Sequence, residues 1–271
     1  MNPMNNLTSI ILTVHNKERL LPLVLEGILC NTTGNAELVV VLDGCTDQSE
    51  VVIDRIIHPN SFRGGYRKCI TNDINETLAN NVGMRSASGD YFILLQDDMV
   101  VQERGWNEKI ILPMKYNSSI MAVTARDALN FKFSANPNDP MSNDFFFDFA
   151  NNDNCVEGIF YVRDAVNRGP LALDARKTNQ LNYFDESYCP LTWDDHDLCL
   201  RGYRSFGWLA GHFNVKYRSD TSWGTTRKGT CTFRGVPFIH SEIEKRNLKL
   251  FYSRYANCGN EQKHNADIRI Y

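Results

Sequence analysis

Apolar runs of strand length alternate with segments of helical period over the first 125 residues, and that alternation leaves few folds open to the chain. A strand is predicted over 9–14. A helix follows over 20–29, where Leu21, Val24, Leu25 and Ile28 fall on one face, and then a strand over 37–42. A helix over 50–56 with Thr46 or Asp47 as its cap, a strand over 66–71, a helix over 76–87 and a strand from Tyr91 continue the series. A helix over 106–116 and a strand over 120–124 close it. These strands are near-continuous apolar runs, the signature of parallel strands covered on both faces. An α/β fold follows, with a Rossmann-like, mostly parallel sheet flanked by helices.

Beyond Thr124 the pattern changes. Residues 130–154 are rich in Asn, Asp, Pro and Phe without clear periodicity, and read as a long functional loop or lid. The remainder mixes short strands with helices over 195–203 and 240–255, which implies a smaller mixed sheet on that side. With no repeat or low-complexity linker, the 271 residues read as one domain with two functional halves, 1–125 and 126–271.

A formal net charge of −3 makes no general case for nucleic acid or an anionic membrane as partner. No apolar run approaches the ~20 residues needed to span a bilayer. The start, Met1-Asn2-Pro3-Met4-Asn5-Asn6, lacks the basic and apolar regions of a secretory leader. The eight cysteines contain no Cys-x-x-Cys pair, which argues against a zinc site and for reduced thiols. A cytoplasmic location is expected, with room for peripheral attachment to a membrane.

The polar residues that end the strands carry the chemistry. The first strand ends at Val14 and runs into His15-Asn16-Lys17-Glu18, the second ends at Asp43, and the fourth at Gln96-Asp97-Asp98. In open α/β sheets ligands bind outside the carboxyl ends of the strands. Asp97 and Asp98 there suit a hard divalent cation carrying a phosphorylated substrate, or else form a solvated acidic turn. Asp43 is placed to accept hydrogen bonds from a base or ribose, or to cap a turn. No Gly-x-Gly-x-x-Gly follows the first strand and no Walker-type lysine motif occurs, so phosphate charge must fall mainly to a metal. Downstream, Asp194, Asp195 and Asp197 crowd a predicted helix N-terminus beside His196. They either complement the helix dipole or, by mutual repulsion, poise one carboxylate as a general base. Arg227-Lys228 reads as a solvated basic loop or as a closure over a diphosphate. Trp193 and Trp223 read as packed aromatics or as platforms for a sugar face.

Taken in order, these segments resemble the family 2 glycosyltransferases of GT-A fold, over about residues 8–215. Residues 9–18 resemble the family's first strand and nucleotide loop. Val39-Val40-Val41-Leu42-Asp43-Gly44-Cys45-Thr46-Asp47 resembles the segment whose acid contacts the base. Asn81-Val82-Gly83, Ala87-Ser88-Gly89-Asp90-Tyr91 and Gln96-Asp97-Asp98 resemble the helix, turn and metal-binding motif. Gly169-Pro170-Leu171-Ala172-Leu173, Asn182-Tyr183-Phe184-Asp185-Glu186 and Asp194-Asp195-His196-Asp197-Leu198 resemble the acceptor half, where the family holds its catalytic base. The resemblance implies inverting transfer of a sugar from a nucleotide diphosphate, UDP by preference, to a glycan, lipid-linked or protein acceptor. It implies Mn²⁺ or Mg²⁺ on Asp98 with Asp97, and donor contacts from Val14, His15, Glu18, Asp43, Gly83 and Asp97. Asp195 is the implied base, with Asp194 second. Three departures accompany it. Gln96 stands where the metal motif usually has its first acid, residues 215–220 contain no His to complete a metal shell, and the Gln-x-x-Arg-Trp motif of processive synthases is absent.

Overall fold

The computed structural model describes residues 7–132, 146–224, 230–256 and 267–271. Its first half alternates as the sequence predicts: β1 (Thr8–Val14), α1 (Leu21–Asn31), β2 (Ala36–Asp43), α2 (Ser49–Ile56), β3 (Gly65–Thr71), α3 (Asn75–Ser86) and β4 (Tyr91–Gln96). There follow β5 (Met99–Val101), α4 (Trp106–Ile110), α5 (Leu112–Tyr116) and β6 (Ile120–Thr124). The second half contributes β7 (Ala128–Phe131), β8 (Phe146–Ala150), β9 (Ile159–Arg163), β10 (Ala165–Val166), β11 (Leu171–Asp174), α6 (Ala175–Gln180), α7 (Asp194–Phe206) and β12 (Leu209–His212). Last come β13 (Tyr217–Ser219), the hairpin of β14 (Thr230–Phe233) and β15 (Val236–Ile239), α8 (His240–Tyr255) and β16 (Ile268–Arg269).

The central sheet runs β16-β9-β12-β6-β11-β4-β1-β2-β3. Strands β1 to β4 are mutually parallel, β6, β12 and β16 point the same way, and β9 and β11 run against them. Successive residues of β1 feed opposite faces, as the two-residue period of a strand requires. Ile10 and Leu12 pack with Leu38, Val40, the apolar stripe of α1 and Trp106 of α4. Ile11 packs with Val39, with Met84 of α3 and with Leu198 of α7 on the other side. Gly83 belongs to this second layer: a Cβ there would lie 2.4 Å from Ile11 Cγ2, so the glycine lets α3 settle onto the sheet.

Several expectations need correction. The helix predicted over 106–116 is two short ones meeting at Ile111, because Pro113 has no N–H to continue the first. Helix α2 begins at Ser49, and Asp47 serves it from just outside, its Oδ1 accepting the Ser49 amide at 2.9 Å. The ends of the segment read as a lid, β7 and β8, are strands that pair antiparallel, with β10 on the other edge of β7. Residues 133–145 of that segment lie outside the described residues. The smaller sheet expected on the acceptor side is therefore three antiparallel strands, and the mixture of directions falls in the central sheet. Among the described residues, no helix is long and apolar enough to cross a membrane, and seven cysteines are free thiols.

Candidate active site

The carboxyl ends of β1, β2 and β4 open on a cleft of about 260 Å³, bounded by Val14, His15, Lys17, Asp43, Gln96, Asp97 and Asp98. Asn75 and Glu76 at the start of α3 form one wall, and Cys231 and Thr232 of the β14–β15 hairpin another. The hairpin is fastened there: Asn75 Nδ2 donates to the Thr232 carbonyl at 3.0 Å, and the Gly235 amide to Asp73 Oδ2 at 2.9 Å. The loop after β1 is braced by side chains of the β2–α2 turn. The Glu18 amide donates to Asp47 Oδ2 at 3.0 Å, and Glu18 Oε2 accepts the Gln48 amide at 2.9 Å. Glu18 thus shapes the loop from outside the cleft lining, and Gly83 lies in the helix–sheet contact. Both lie outside the cleft lining.

Asp43 is buried at the end of β2, and its carboxylate accepts from Thr71 Oγ1 at 2.9 Å, the Ile74 amide at 2.8 Å and the Asn75 amide at 2.7 Å. These bonds pin the β3–α3 connection and leave Asp43 with lone-pair capacity toward the cleft. The His15 ring meets the Asp43 carbonyl at 2.6 Å through Nδ1. Ligand atoms of His15, Asp43 and Asp73 all fall within 4.8 Å of one another. That set fits a cation poorly, since Asp43 already serves three donors and Asp73 holds the hairpin.

Asp97 and Asp98 fit one better. Among the described residues, Asp98 Oδ1 is buried without a hydrogen-bond partner, and such an oxygen is costly unless a ligand completes it. Burial pushes the Asp98 carboxyl above its usual range against the Lys17 charge, and Glu76 adds to the rise. Asp97 Oδ2 accepts the His15 amide at 2.9 Å, while Oδ1 faces Lys17 Nζ at 3.7 Å. Burial carries Asp97 up to about 7, opposed by Lys17 and by the His15 amide. A hard divalent ion suits this oxygen set. Lys17 is itself buried and donates to the Trp223 carbonyl, tying the floor of the cleft to the chain at 223. Trp223 is half-buried under the Arg218 guanidinium, 4.8 Å from its ring centroid. Arg227 and Lys228 lie outside the described residues.

The second acidic group opens α7. Trp193, in left-handed backbone (φ 70°), turns the chain into the helix, and its ring packs on His196 and Phe251 in the core rather than facing a ligand. Asp194 is fully buried and paired with Arg168 NH2. Burial and the neighbouring Asp195 raise its carboxyl to about 6 although Arg168 opposes them. Asp195 Oδ2 accepts the Arg168 amide at 3.0 Å and Oδ1 the His196 amide at 2.9 Å. Burial favours the protonated form, but the charges of His196 and Arg168 and these two amides outweigh it, so Asp195 stays ionised. Asp197 is instead structural, bound by Arg201 at 2.6 Å and by Tyr255 Oη at 2.6 Å.

Lys17, Glu76, Arg168 and the hairpin residues were not singled out from sequence. Arg168 meets Asp194 across 26 positions and Lys17 meets Trp223 across 206, separations that leave no local pattern.

A family model, Glycosyl transferase family 2, matches residues 9–169, more than half of the chain. The glycosyltransferase GlyG of Streptococcus pneumoniae serotype 4 is 26% identical over 166 residues, covering 61% of this chain and 50% of that protein. An uncharacterized glycosyltransferase of Haemophilus influenzae is 29% identical over 119 residues, covering 43% of this chain and 35% of that protein. The chain therefore spans half or less of the length of these curated relatives. Among solved structures, S. aureus TarS 1–349 in complex with UDP-GlcNAc superposes with a TM-score of 0.57 at 14% identity, covering 89% of this chain and 65% of that one. GalNAc-T7 with UDP, GalNAc and Mn²⁺ superposes at 0.59 with 12% identity, covering 76% and 42%. At these identities the structures speak for the fold alone. The matched span runs from β1 through the acidic cleft to the turn at Gly169, and on it the chain belongs to glycosyl transferase family 2, with the GT-A fold.

Proposed function

We propose that this chain transfers one sugar, with inversion, from a nucleotide diphosphate, UDP, to a hydroxyl of a glycan, lipid-linked or protein acceptor in the cytoplasm. The observation that supports it most is the unpartnered, buried oxygen of Asp98 in a cleft at the carboxyl ends of β1, β2 and β4. The fold is shared with structures described as holding UDP, UDP-GlcNAc and Mn²⁺. Asp43 takes the base or ribose, and the loop from Val14 to Lys17 lines the path of the diphosphate. Asp98, with Asp97, would hold Mn²⁺ or Mg²⁺, which when bound supplies Lewis-acid stabilisation of the leaving diphosphate.

Asp195 does the proton work. The acceptor oxygen attacks the anomeric carbon from the face opposite the diphosphate, the bond from that carbon to the diphosphate oxygen breaks, and its electron pair leaves with the nucleotide. The acceptor proton passes to the Asp195 carboxylate. Two amide donors keep that carboxylate ionised and fixed in orientation before the acceptor arrives. The test is release of nucleotide diphosphate from a panel of nucleotide sugars with Mn²⁺ and candidate acceptors. Binding of UDP without release under every combination would instead identify a nucleotide-sugar binding protein.

A further inference from the structure

One side chain reaches from the cleft to the acid pair. Glu76, in the first turn of α3, lines the cleft, and its Oε1 accepts a hydrogen bond from Gln96 Nε2 at 2.6 Å. The same oxygen lies 3.7 Å from Arg168 NH1. The Arg168 side chain is only 6% exposed; NH2 donates to Asp194, and the backbone amide donates to Asp195. Among the described residues, Nε and NH1 have no hydrogen-bond partner, so this guanidinium is held by the charges of Asp194, Glu76 and Asp195 and by the face of Phe184, 4.8 Å from its centroid. Two unmet donor nitrogens in the interior are costly, and the neighbouring carboxylate charges offset that cost.

We propose that Glu76 and Arg168 are positioning residues for the acid pair: Arg168 fixes Asp194 and Asp195, and Glu76 fixes Arg168 from the cleft side, with Gln96 as its neutral partner. The proposal rests on the reading of Asp195 as the base. It also accounts for the glutamine at 96. A carboxylate there would set two like charges at hydrogen-bond distance, whereas the amide donates to Glu76. Gly169, at φ 81°, leaves room for that amide: a Cβ at 169 would lie 2.9 Å from Gln96 Oε1.

Glu76→Gln keeps the size of the side chain and removes its charge. Because a reacting group displaced by about 1 Å can cost on the order of 10²-fold, we expect kcat to fall tenfold or more. Arg168→Lys keeps the charge but loses the fork; it is the safer variant, since Arg168→Met would strand Asp194, and it should also lower kcat with UDP affinity preserved. The second readout needs no turnover. The charged groups facing Asp194 are Arg168, Glu76 and Asp195, and Glu76 holds its carboxyl up. Its midpoint, followed by carboxyl ¹³C NMR, should therefore move down in Glu76→Gln. An unmoved midpoint in Glu76→Gln, unchanged kcat in either variant, or UDP affinity falling in step with kcat in Arg168→Lys overturns the positioning role. Failure of the unmodified protein to release nucleotide diphosphate counts against sugar transfer alone, and the Asp194 midpoint then decides whether Glu76 and the acid pair act as a unit.

Discussion

Replacing Asp195 by Asn separates catalysis from binding and from folding. The carboxylate accepts two backbone amides, from Arg168 at 3.0 Å and His196 at 2.9 Å. Asparagine offers one acceptor oxygen, and its NH₂ turns toward the other amide, so one charge-assisted bond is lost at a cost of about 1–3 kcal/mol of stability. The chain should still fold. General-base assistance is typically worth ~10²–10⁴-fold, which at ~1.36 kcal/mol per tenfold is roughly 2.7–5.4 kcal/mol of barrier. The effect on rate should therefore exceed the effect on stability. UDP affinity should stay within about twofold, because Asp195 is not part of the cleft lining. Initial rates of UDP release with Mn²⁺, UDP calorimetry and thermal denaturation of the same preparation give the three quantities. Asp194→Asn should slow transfer less and destabilise more, since it leaves the buried Arg168 without its nearest counter-charge. Transfer at the unmodified rate in Asp195→Asn, or UDP affinity lost in proportion to rate, would refute the assignment.

Asp98→Asn should abolish Mn²⁺-dependent turnover and Mn²⁺ binding while the melting temperature holds or rises, with Asp97→Asn less damaging; full activity of the Asp98 variant in chelator-treated buffer would remove the metal site. Asp97 titrates near 7 and Asp98 is raised as well, so protons compete with the cation below that pH. Apparent Mn²⁺ affinity by calorimetry should climb from pH 5 to 8 and then level off, and a flat profile would contradict the burial of these groups. The same raised carboxyls bind protons that the unfolded chain, titrating near 3.8, has released, so their contribution to metal-free stability should decline as pH rises from about 4 through 7. Asp43→Ala should weaken UDP by about 1–3 kcal/mol and lower stability, because Thr71, Ile74 and Asn75 lose their acceptor; unchanged UDP affinity in calorimetry would reduce Asp43 to a turn residue. Gly83→Ala should destabilise by about 1–3 kcal/mol through its clash with Ile11, leaving UDP affinity of the folded protein unaltered; a loss of affinity would return Gly83 to the nucleotide site.

The β1, β2 and β4 strands were legible because burial on both faces writes a continuous apolar run, and α1 because its stripe faces one layer. The acids at 43, 97 and 98 were legible for a related reason, since polarity begins abruptly where those runs stop. Legibility ended where structure depends on distant partners. Nothing local in Leu171–Asp174 says that this strand enters between β4 and β6 against their direction. Nothing in the apolar–acidic sequence around Phe146–Ala150 distinguishes a strand from a loop, because its partner β7 fixes it. Glu76 reads as an ordinary acid in a helix's first turn, and only the fold brings Arg168 and Gln96 to it.

The insertion of β11 also decides how far the two halves can be treated as modules. Strand β11 hydrogen-bonds to β4 on one side and to β6 on the other, and β12 continues the sheet beyond β6. A cut between residues 125 and 126 would therefore strip partners from both β4 and β6 in the interior of a nine-stranded sheet. A foreign second half cannot simply be spliced onto this first one, because the seam is woven rather than butted. A chimera that keeps the sheet must leave β11 with the two strands it completes.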